Sequence, residues 1–306
     1  MENKAIIEVA LNGGTSKSTN PNVPRTPAEI AEDAIRCLEA GAAIVHNHND
    51  EPVVGKTVSH DPAPYIVAWQ SILAAFPEAI LYPTMGTGGP HTTIEKRYSH
   101  IPALAQAGVL GQGLVDPGSV NLGGAGPDGL PRPVDDVYLN TYNDARYMFE
   151  TCEQVGCGAS ISCFEPGFLR VVLAYYKRGR IPPGSLVKLY FGGGGAGMDE
   201  LNFGLPPTRP SLEAYLAMIQ PTGLHWSVAV LGGDVAATGM AQWALERGGH
   251  VRVGLEDYSG DRTPSNVELV REMVALCKDT GRQVASCAEA RKMLSLLRVH
   301  DTIGDK

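Results

Sequence analysis

Two histidines one residue apart, His46-Asn47-His48, close a short apolar run, and in an extended chain residues two apart point to the same face. Both imidazoles can therefore reach one ion, and neutral imidazole is a ligand for zinc and other borderline metals. A second polar cluster ends the run HVRVGLED at positions 250–257. Strand alternation puts Arg252, Gly254 and Glu256 on one face, with Asp257 on the other face or at the start of a loop. A guanidinium inside a protein needs an anionic partner, because an unpaired buried charge is strongly destabilising. Asp257, Glu165 and Glu8 are the carboxylates that could serve Arg252.

The elements that must position these groups show in the alternation of short apolar runs with longer amphipathic segments. Eight strand-like runs lie at 6–11, 43–48, 79–84, 108–115, 159–164, 186–191, 226–231 and 250–255. That count points to an α/β fold of the (β/α)8 TIM-barrel type, and 306 residues fit one such domain, read as 1–306. In this fold the active site lies at the C-terminal ends of the strands, where both polar clusters fall. Strands two and eight are near neighbours across strand one, so Glu256 comes within ligand reach of His46 and His48. Two histidines and a carboxylate with an open position make up a catalytic zinc site.

Helix signals support the alternation. Thr26-Pro27-Ala28-Glu29 supplies an N-cap, a proline at N1 and an acidic residue at N3, ahead of a helix that stops at Gly41. The same device at Thr263-Pro264-Ser265-Asn266 starts a helix closing near Gly281, which is expected to be the eighth and final one. Between them, the Gly- and Pro-rich stretch 118–136 reads as a long functional or disordered loop after strand four.

The remaining strand ends suggest contacts for a small ligand. Glycine-rich ends at 84–89, 192–195 and 231–234 permit close backbone approach, although they lack the spaced lysine of a phosphate loop. The candidate substrate contacts are Asn12 after strand one, Thr84, Thr87 and Gly88 after strand three, and Asp116 and Ser119 after strand four. Glu165, just past strand five, faces the same mouth and is expected to orient the arginine or a substrate. The six cysteines lack the paired spacing of a zinc knuckle or redox motif and read as reduced packing residues, with Cys163 at a strand end as a minor candidate nucleophile.

A formal net charge of -8, with basic residues only in small clusters such as Lys177, Arg178 and Arg180, argues against nucleic acid or an anionic membrane as partner. No apolar run reaches the length of a bilayer span, and the first residues are too short and too acidic a stretch for a signal peptide, so the expectation is a cytoplasmic protein.

Three longer stretches carry a family resemblance: Pro21-Asn22-Val23-Pro24 with Thr26-Pro27, Glu39-Ala40-Gly41-Ala42 leading to His46 and His48, and Gly248-Gly249-His250-Val251-Arg252 leading to Glu256-Asp257. Together they resemble the zinc-dependent β-keto acid cleavage enzymes along nearly the whole chain. The resemblance implies a (β/α)8 barrel, usually a homotetramer, that converts a β-keto acid and acetyl-CoA into acetoacetate and a shortened acyl-CoA. It also implies that His46, His48 and Glu256 hold Zn²⁺, that Asp257 is the general base and that Arg252 is its partner. A metal that polarises the keto oxygen would stabilise the enolate formed when the base removes the adjacent proton. The enolate would then attack the thioester, so no protein nucleophile is required.

Departures from the family pattern narrow the substrate. The aminohexanoate-cleaving members carry a glutamate shortly after the first strand that holds the substrate amine, where this chain has Asn12-Gly13-Gly14-Thr15. That amino acid is therefore not the expected substrate. A substrate-contacting serine of the third-strand loop is replaced by Thr84 or Thr87, and a fifth-strand glutamate aligns with Ser162, leaving Glu165 as its stand-in. The segment 258–263 is shorter, which reshapes the pocket. The competing readings are a CoA-independent metal-dependent aldolase or hydrolase, and a barrel that binds metal and ligand without turnover.

Overall fold

Each of the eight apolar runs contains one strand, and each is followed by at least one helix before the next strand begins. The computed structural model describes residues 4–49, 60–86, 92–121, 123–131, 133, 137–193 and 203–296. The strands are β1 Ile7–Ala10, β2 Ile44–Asn47, β3 Ile80–Pro83, β4 Gln112–Val115, β5 Gly158–Cys163, β6 Leu186–Gly192, β7 Trp226–Leu231 and β8 His250–Val253. Every ladder is parallel, in the order β3-β2-β1-β8-β7-β6-β5-β4, so the first and last strands pair with each other. The remaining gap is bridged by the Gly111 N–H donating to the Leu81 carbonyl at 2.8 Å, and the sheet curls into a nearly closed (β/α)8 barrel.

The helices are α1 Pro27–Ala40, α2 Ala63–Ala75, α3 Ile94–Arg97, α4 His100–Gln106, α5 Tyr142–Val155, α6 Pro166–Lys177, α7 Arg209–Ile219, α8 Met240–Glu246, α9 Asn266–Asp279 and α10 Cys287–Leu294. In α1 the Thr26 hydroxyl accepts from the Glu29 N–H while the Glu29 carboxylate accepts from the Thr26 N–H, a complete capping box. The expected start of α9 needs correction. Its cap is Ser265, whose hydroxyl accepts from the Glu268 N–H, so the acidic residue three positions on selects Ser265 over Thr263. Nor is α9 the last helix: α10 follows, capped by Ser286 and Glu289. It comes after a segment in which the Ala5 N–H donates to Gln283 and the Ala285 N–H to Ala5, each at 2.8 Å, tying the two ends of the barrel chain together. Among the described residues no helix is long and apolar enough to cross a membrane.

The two faces of each strand meet different surroundings. Ile7, Val9, Val45, Leu81, Ile161, Val187, Leu189, Val228 and Val251 are fully buried and fill the layer between strands and helices. The alternate positions carry polar groups. Glu8 of β1, Tyr82 of β3, Ser160 of β5, Lys188 of β6 and Arg252 of β8 form one network of contacts, which side chains from such distant strands can make only in the barrel interior.

Two histidines make this packing sensitive to acid. His250 accepts the Ile6 N–H on Nδ1 at 3.1 Å, and His100 is buried beneath β3 with Nε2 2.8 Å from the Thr84 carbonyl. Burial pushes their pKa values down from 6.5, to about 3 for His250, where the His225 and Arg282 charges add to the effect, and to about 4 for His100. A depressed histidine contributes stability that is complete above pH 6.5 and is lost as pH falls toward the folded pKa. Thermal or denaturant unfolding should therefore show stability dropping below pH 6.5 by roughly 1 kcal/mol per pH unit for each of the two groups. The variant His250→Asn keeps an acceptor for the Ile6 N–H but cannot titrate, and its acid slope should be shallower by about one proton. A slope equal to the wild type's would show that His250 does not contribute.

Candidate active site and metal centre

Arg252 organises the C-terminal mouth of the barrel. After β8 the chain reaches Gly254 at φ 136°, where an added Cβ would stand 2.0 Å from the Ala10 carbonyl oxygen, so the turn there requires glycine. The Asp257 and Tyr258 N–H groups both donate back to the Gly254 carbonyl, at 3.2 and 3.0 Å. The turn ends strand alternation, and Asp257, expected on the opposite face or in the loop, comes round to the same guanidinium as Glu256. Asp257 receives Arg252 Nε at 2.7 Å and Nη2 at 3.1 Å, while Glu256 Oε1 lies 2.9 Å from Nη2. On its other edge Arg252 Nη1 donates to Glu8 at 3.0 Å and to the Tyr82 hydroxyl at 2.7 Å.

These contacts set the charges. Burial works to raise the Glu8 carboxyl, but the Lys188 ammonium and Arg252 beside it outweigh burial and hold it below its ordinary value. For Asp257 burial wins over the Arg252 attraction and raises the pKa, which makes this carboxylate the more basic of the two. Glu256 is held well below its usual range, against the effect of burial, by His46, Arg252 and His48.

His46, His48 and Glu256 present ligand atoms that all lie within 4.8 Å of one another. His46 Nδ1 lies 3.2 Å from the Tyr82 carbonyl, and since a carbonyl can only accept, Nδ1 carries the proton and Nε2 is a bare lone pair. That lone pair faces Glu256 Oε2 at 3.1 Å. Burial pushes the His46 pKa down to about 4, more than Glu256 raises it, so the ring is neutral at pH 7 and two acceptors confront each other. Among the described residues Glu256 Oε2 accordingly has no hydrogen-bond partner. A cation between them resolves the conflict. His48 Nε2 stands 3.4 Å from the other oxygen, Glu256 Oε1, so the carboxylate lies between the two imidazoles with an oxygen close to each. The donor set suits zinc, and the residues present fit such an ion.

Other expected site residues have different placements. Asn12 is committed within the fold: its amide donates to the Pro24 and His48 carbonyls and its oxygen accepts the Gly13 and His48 N–H groups, so it positions His48 and has no capacity left for a substrate. The Ser119 hydroxyl donates to the Asn140 carbonyl and accepts its N–H, which makes it a staple of the β4–α5 loop. Glu165, expected to orient the arginine or a substrate, accepts the Gly204 N–H at 2.7 Å instead, and Glu8 takes the place at Arg252. Thr84 is buried at the end of β3. Thr87 and Gly88 lie outside the described residues. Asp116 is buried at the end of β4 and receives the Tyr138 hydroxyl.

The described glycines after β6 and β7 also find their use inside the fold, while 87–89 and 194–195 lie outside the described residues. Gly232 and Gly233 donate to the Asp257 carbonyl at 2.8 and 3.3 Å, and Gly193 to Leu231 at 2.9 Å, so these amides hold loops and are not free to cradle an anion. Cys163 is fully buried, and burial drives its thiol up, away from nucleophilic use.

Sequence reasoning missed Tyr82, Lys188 and Gly13. Lys188 Nζ contacts the Tyr82 and Ser160 hydroxyls, each at 2.5 Å, and Glu8 at 3.4 Å. A lone lysine within the apolar run Leu186–Gly192 was the available signal, since only an interior acid makes it tolerable there. Gly13, at φ 47°, packs so closely on Glu256 that an added Cβ would lie 2.2 Å from its Cγ.

Known proteins resemble the chain over nearly its whole length. A family model described as beta-keto acid cleavage enzyme matches residues 4–296. The 3-keto-5-aminohexanoate cleavage enzyme of Fusobacterium nucleatum is 30% identical over 97% of this chain and 99% of its own. The 3-oxoadipate:acetyl-CoA acetyltransferase of Cupriavidus necator is 29% identical over 97% of this chain and 96% of its own. Among solved structures, the binary complex of ObcA with oxaloacetate superposes with a TM-score of 0.66 at 19% identity, over 90% of this chain and 68% of that one, a likeness of fold.

Two substitutions probe the arrangement. Gly13→Ala should push Glu256 aside and weaken metal binding by about 10-fold or more in a zinc titration, with a stability cost of about 1 kcal/mol from the positive φ. Unchanged affinity would detach Gly13 from the metal centre. Lys188→Met should lower unfolding free energy by about 1–3 kcal/mol, because Glu8 keeps Arg252 but loses its second cation and the Tyr82 and Ser160 hydroxyls lose a partner, and pairing it with Glu8→Gln should restore part of that loss. Additive losses in the double variant would contradict the coupling.

Proposed function

The chain belongs to the beta-keto acid cleavage enzyme family, and from that premise we propose that it is a zinc-dependent enzyme condensing a β-keto acid with acetyl-CoA, to release acetoacetate and a shortened acyl-CoA. Carbon–carbon cleavage with acyl transfer is the family's chemistry, and the 3-oxoadipate and 3-dehydrocarnitine relatives are both named as acetyl-CoA transferases. One observation carries the reading: Arg252 binds Glu256 and Asp257 at once, which sets a basic carboxylate beside a two-histidine, one-carboxylate metal centre.

Bound by His46, His48 and Glu256, Zn²⁺ supplies Lewis-acid polarisation of the substrate's keto oxygen. Asp257 takes the proton from the carbon between the ketone and the carboxylate. Its basicity comes from burial, and the two Arg252 hydrogen bonds fix the orientation of its oxygens. The carbon thus activated displaces CoA from the acetyl thioester, and the released CoA thiolate takes the original acyl group as the old carbon–carbon bond breaks. Asp257 then returns its proton to the acetoacetate carbon, so the reaction balances with no acyl-enzyme. Arg252 stays charged throughout, because Asp257, Tyr190, Tyr82 and Glu256 outweigh the effect of burial and raise its pKa well above the ordinary value.

Two variants and one omission test the reading. His46→Ala should lose both zinc and cleavage, whereas Asp257→Asn should keep zinc and lose cleavage by about 10²-fold or more. Metal analysis beside product assay separates the two, and zinc retained in His46→Ala would refute the ligand assignment. Omitting acetyl-CoA from a panel of β-keto acids should abolish turnover. Full turnover without the thioester would favour the aldolase or hydrolase reading.

A further inference from the structure

Across the barrel from Arg252, the fold leaves a carboxylate oxygen with nothing to bind. Asp116 directly follows β4, which is diametrically opposite β8 in the strand order, and it is 4% exposed. It continues the inward row of Gln112 and Leu114, and its closest electrostatic neighbours include the Ser162 hydroxyl and the Lys188 ammonium, so its carboxylate belongs to the barrel interior. Oδ2 accepts the Tyr138 hydroxyl, while Oδ1 is buried with no hydrogen bond of ordinary length among the described residues, the Ser162 hydroxyl being the other group that acts on this carboxylate. Asn140, which approaches the same Tyr138 hydroxyl, has its oxygen fixed by Arg97 Nη2 at 2.8 Å.

An aromatic wall joins this place to the reacting groups. Tyr138 meets the edge of Phe164 at 6.0 Å, Phe164 stacks on Tyr190 at 4.5 Å, and Arg252 lies 5.5 Å from the Tyr190 ring. A substrate lying along that wall with its keto group at the metal centre would extend its far end toward Asp116. A bare buried acceptor is strongly unfavourable in the empty fold, and a ligand donor removes the deficit on binding.

We propose that Asp116 is a specificity-determining residue whose Oδ1 accepts a hydrogen bond from a neutral donor, a hydroxyl, carried at the far end of the β-keto acid. The inference rests on the reading of the site as a β-keto acid cleavage centre. The hydroxyl is chosen by elimination of the other tails. A methyl leaves Oδ1 unpaired, and a carboxylate sets like charges together. An ammonium adds a third cation to Lys188 and Arg97, both of which already act on Asp116.

The test uses zinc-loaded protein, acetyl-CoA and 3-oxo acids of matched length ending in hydroxyl, ammonium, methyl or carboxylate. The hydroxyl acid should exceed the methyl acid in kcat/KM by about 10-fold or more, as expected when a buried polar group would otherwise go unpaired. Asp116→Ala should bring that ratio to about one, chiefly through KM. Asp116→Asn keeps an acceptor for Tyr138 but presents an amide N–H in place of the bare oxygen, and should turn the preference toward the carboxylate tail. A methyl, ammonium or carboxylate acid used by the wild type as well as the hydroxyl acid overturns the proposal, as does a ratio unchanged in Asp116→Ala. If no acid is cleaved, the family reaction fails on its own, and calorimetric binding of the same acids decides on Asp116 separately. A hydroxyl preference in the wild type that Asp116→Ala abolishes supports the assignment, and equal or absent binding refutes it.

Discussion

The Arg252 guanidinium touches three carboxylates, Glu8, Glu256 and Asp257, inside a barrel where water does not reach it. At about 3 Å each contact gains roughly 5 kcal/mol of Coulomb energy at an effective dielectric near 20, while each ion loses several kcal/mol of hydration. The two nearly cancel, so the cluster contributes little net stability. What it contributes is geometry. A planar fork with five N–H donors fixes the carboxylates it binds in the plane of the guanidinium, and the basic Asp257 and the metal-facing Glu256 are thereby held to one another.

Much of the surrounding structure serves that constraint. The turn at Gly254 exists because Asp257 must come back to Arg252 after strand alternation has carried it away, and the Gly232 and Gly233 amides hold the returned loop by the Asp257 carbonyl. Asn12 does for His48 what the Tyr82 carbonyl does for His46, and Gly13 opens the space that the Glu256 side chain occupies. Tyr82 serves twice, through its carbonyl on the histidine and through its hydroxyl on Glu8, Lys188 and Arg252. His46, His48, Glu256 and Asp257 are therefore mechanically one unit, resting on strands that pair with β1 on either side.

The sequence carried the parts of this unit that follow a strict period. His46 and His48 share a face by strand alternation, and Glu256 joined them once the barrel order made β2 and β8 flank β1. Alternation left Asp257 between the opposite face and the loop, and the glycine turn that ends the period decides for the loop. It left Glu8, Glu165 and Asp257 all open as partners of Arg252 for a related reason, since position along a strand does not report reach across a barrel, and the structure takes the first and the last. Glu8 reaches Arg252 directly from the neighbouring strand at 3.0 Å, whereas Glu165 sits past the strand end and accepts a loop amide. Similarly, Thr263-Pro264 imitates the start of α1, and only the spacing to Glu268 distinguishes the true cap at Ser265. Lys188 was overlooked as part of an apolar run, although its charge amid such neighbours required an interior acid.

Charge balance in the mouth orders the events that follow. The buried or half-buried carboxylates Glu8, Glu256, Asp257 and Asp116 oppose Arg252, Lys188 and Arg97, with His46 neutral, so four negative charges face three positive ones and the set carries -1. A β-keto acid is itself an anion, and entry into a low-dielectric site of its own sign is opposed by several kcal/mol at contact distances. A divalent ion held by His46, His48 and Glu256 changes the sum to +1, which one substrate carboxylate neutralises. In the proposed reaction such an ion would both prepare the keto group for proton loss to Asp257 and ease entry of the acid, so metal loading is expected to come before substrate binding.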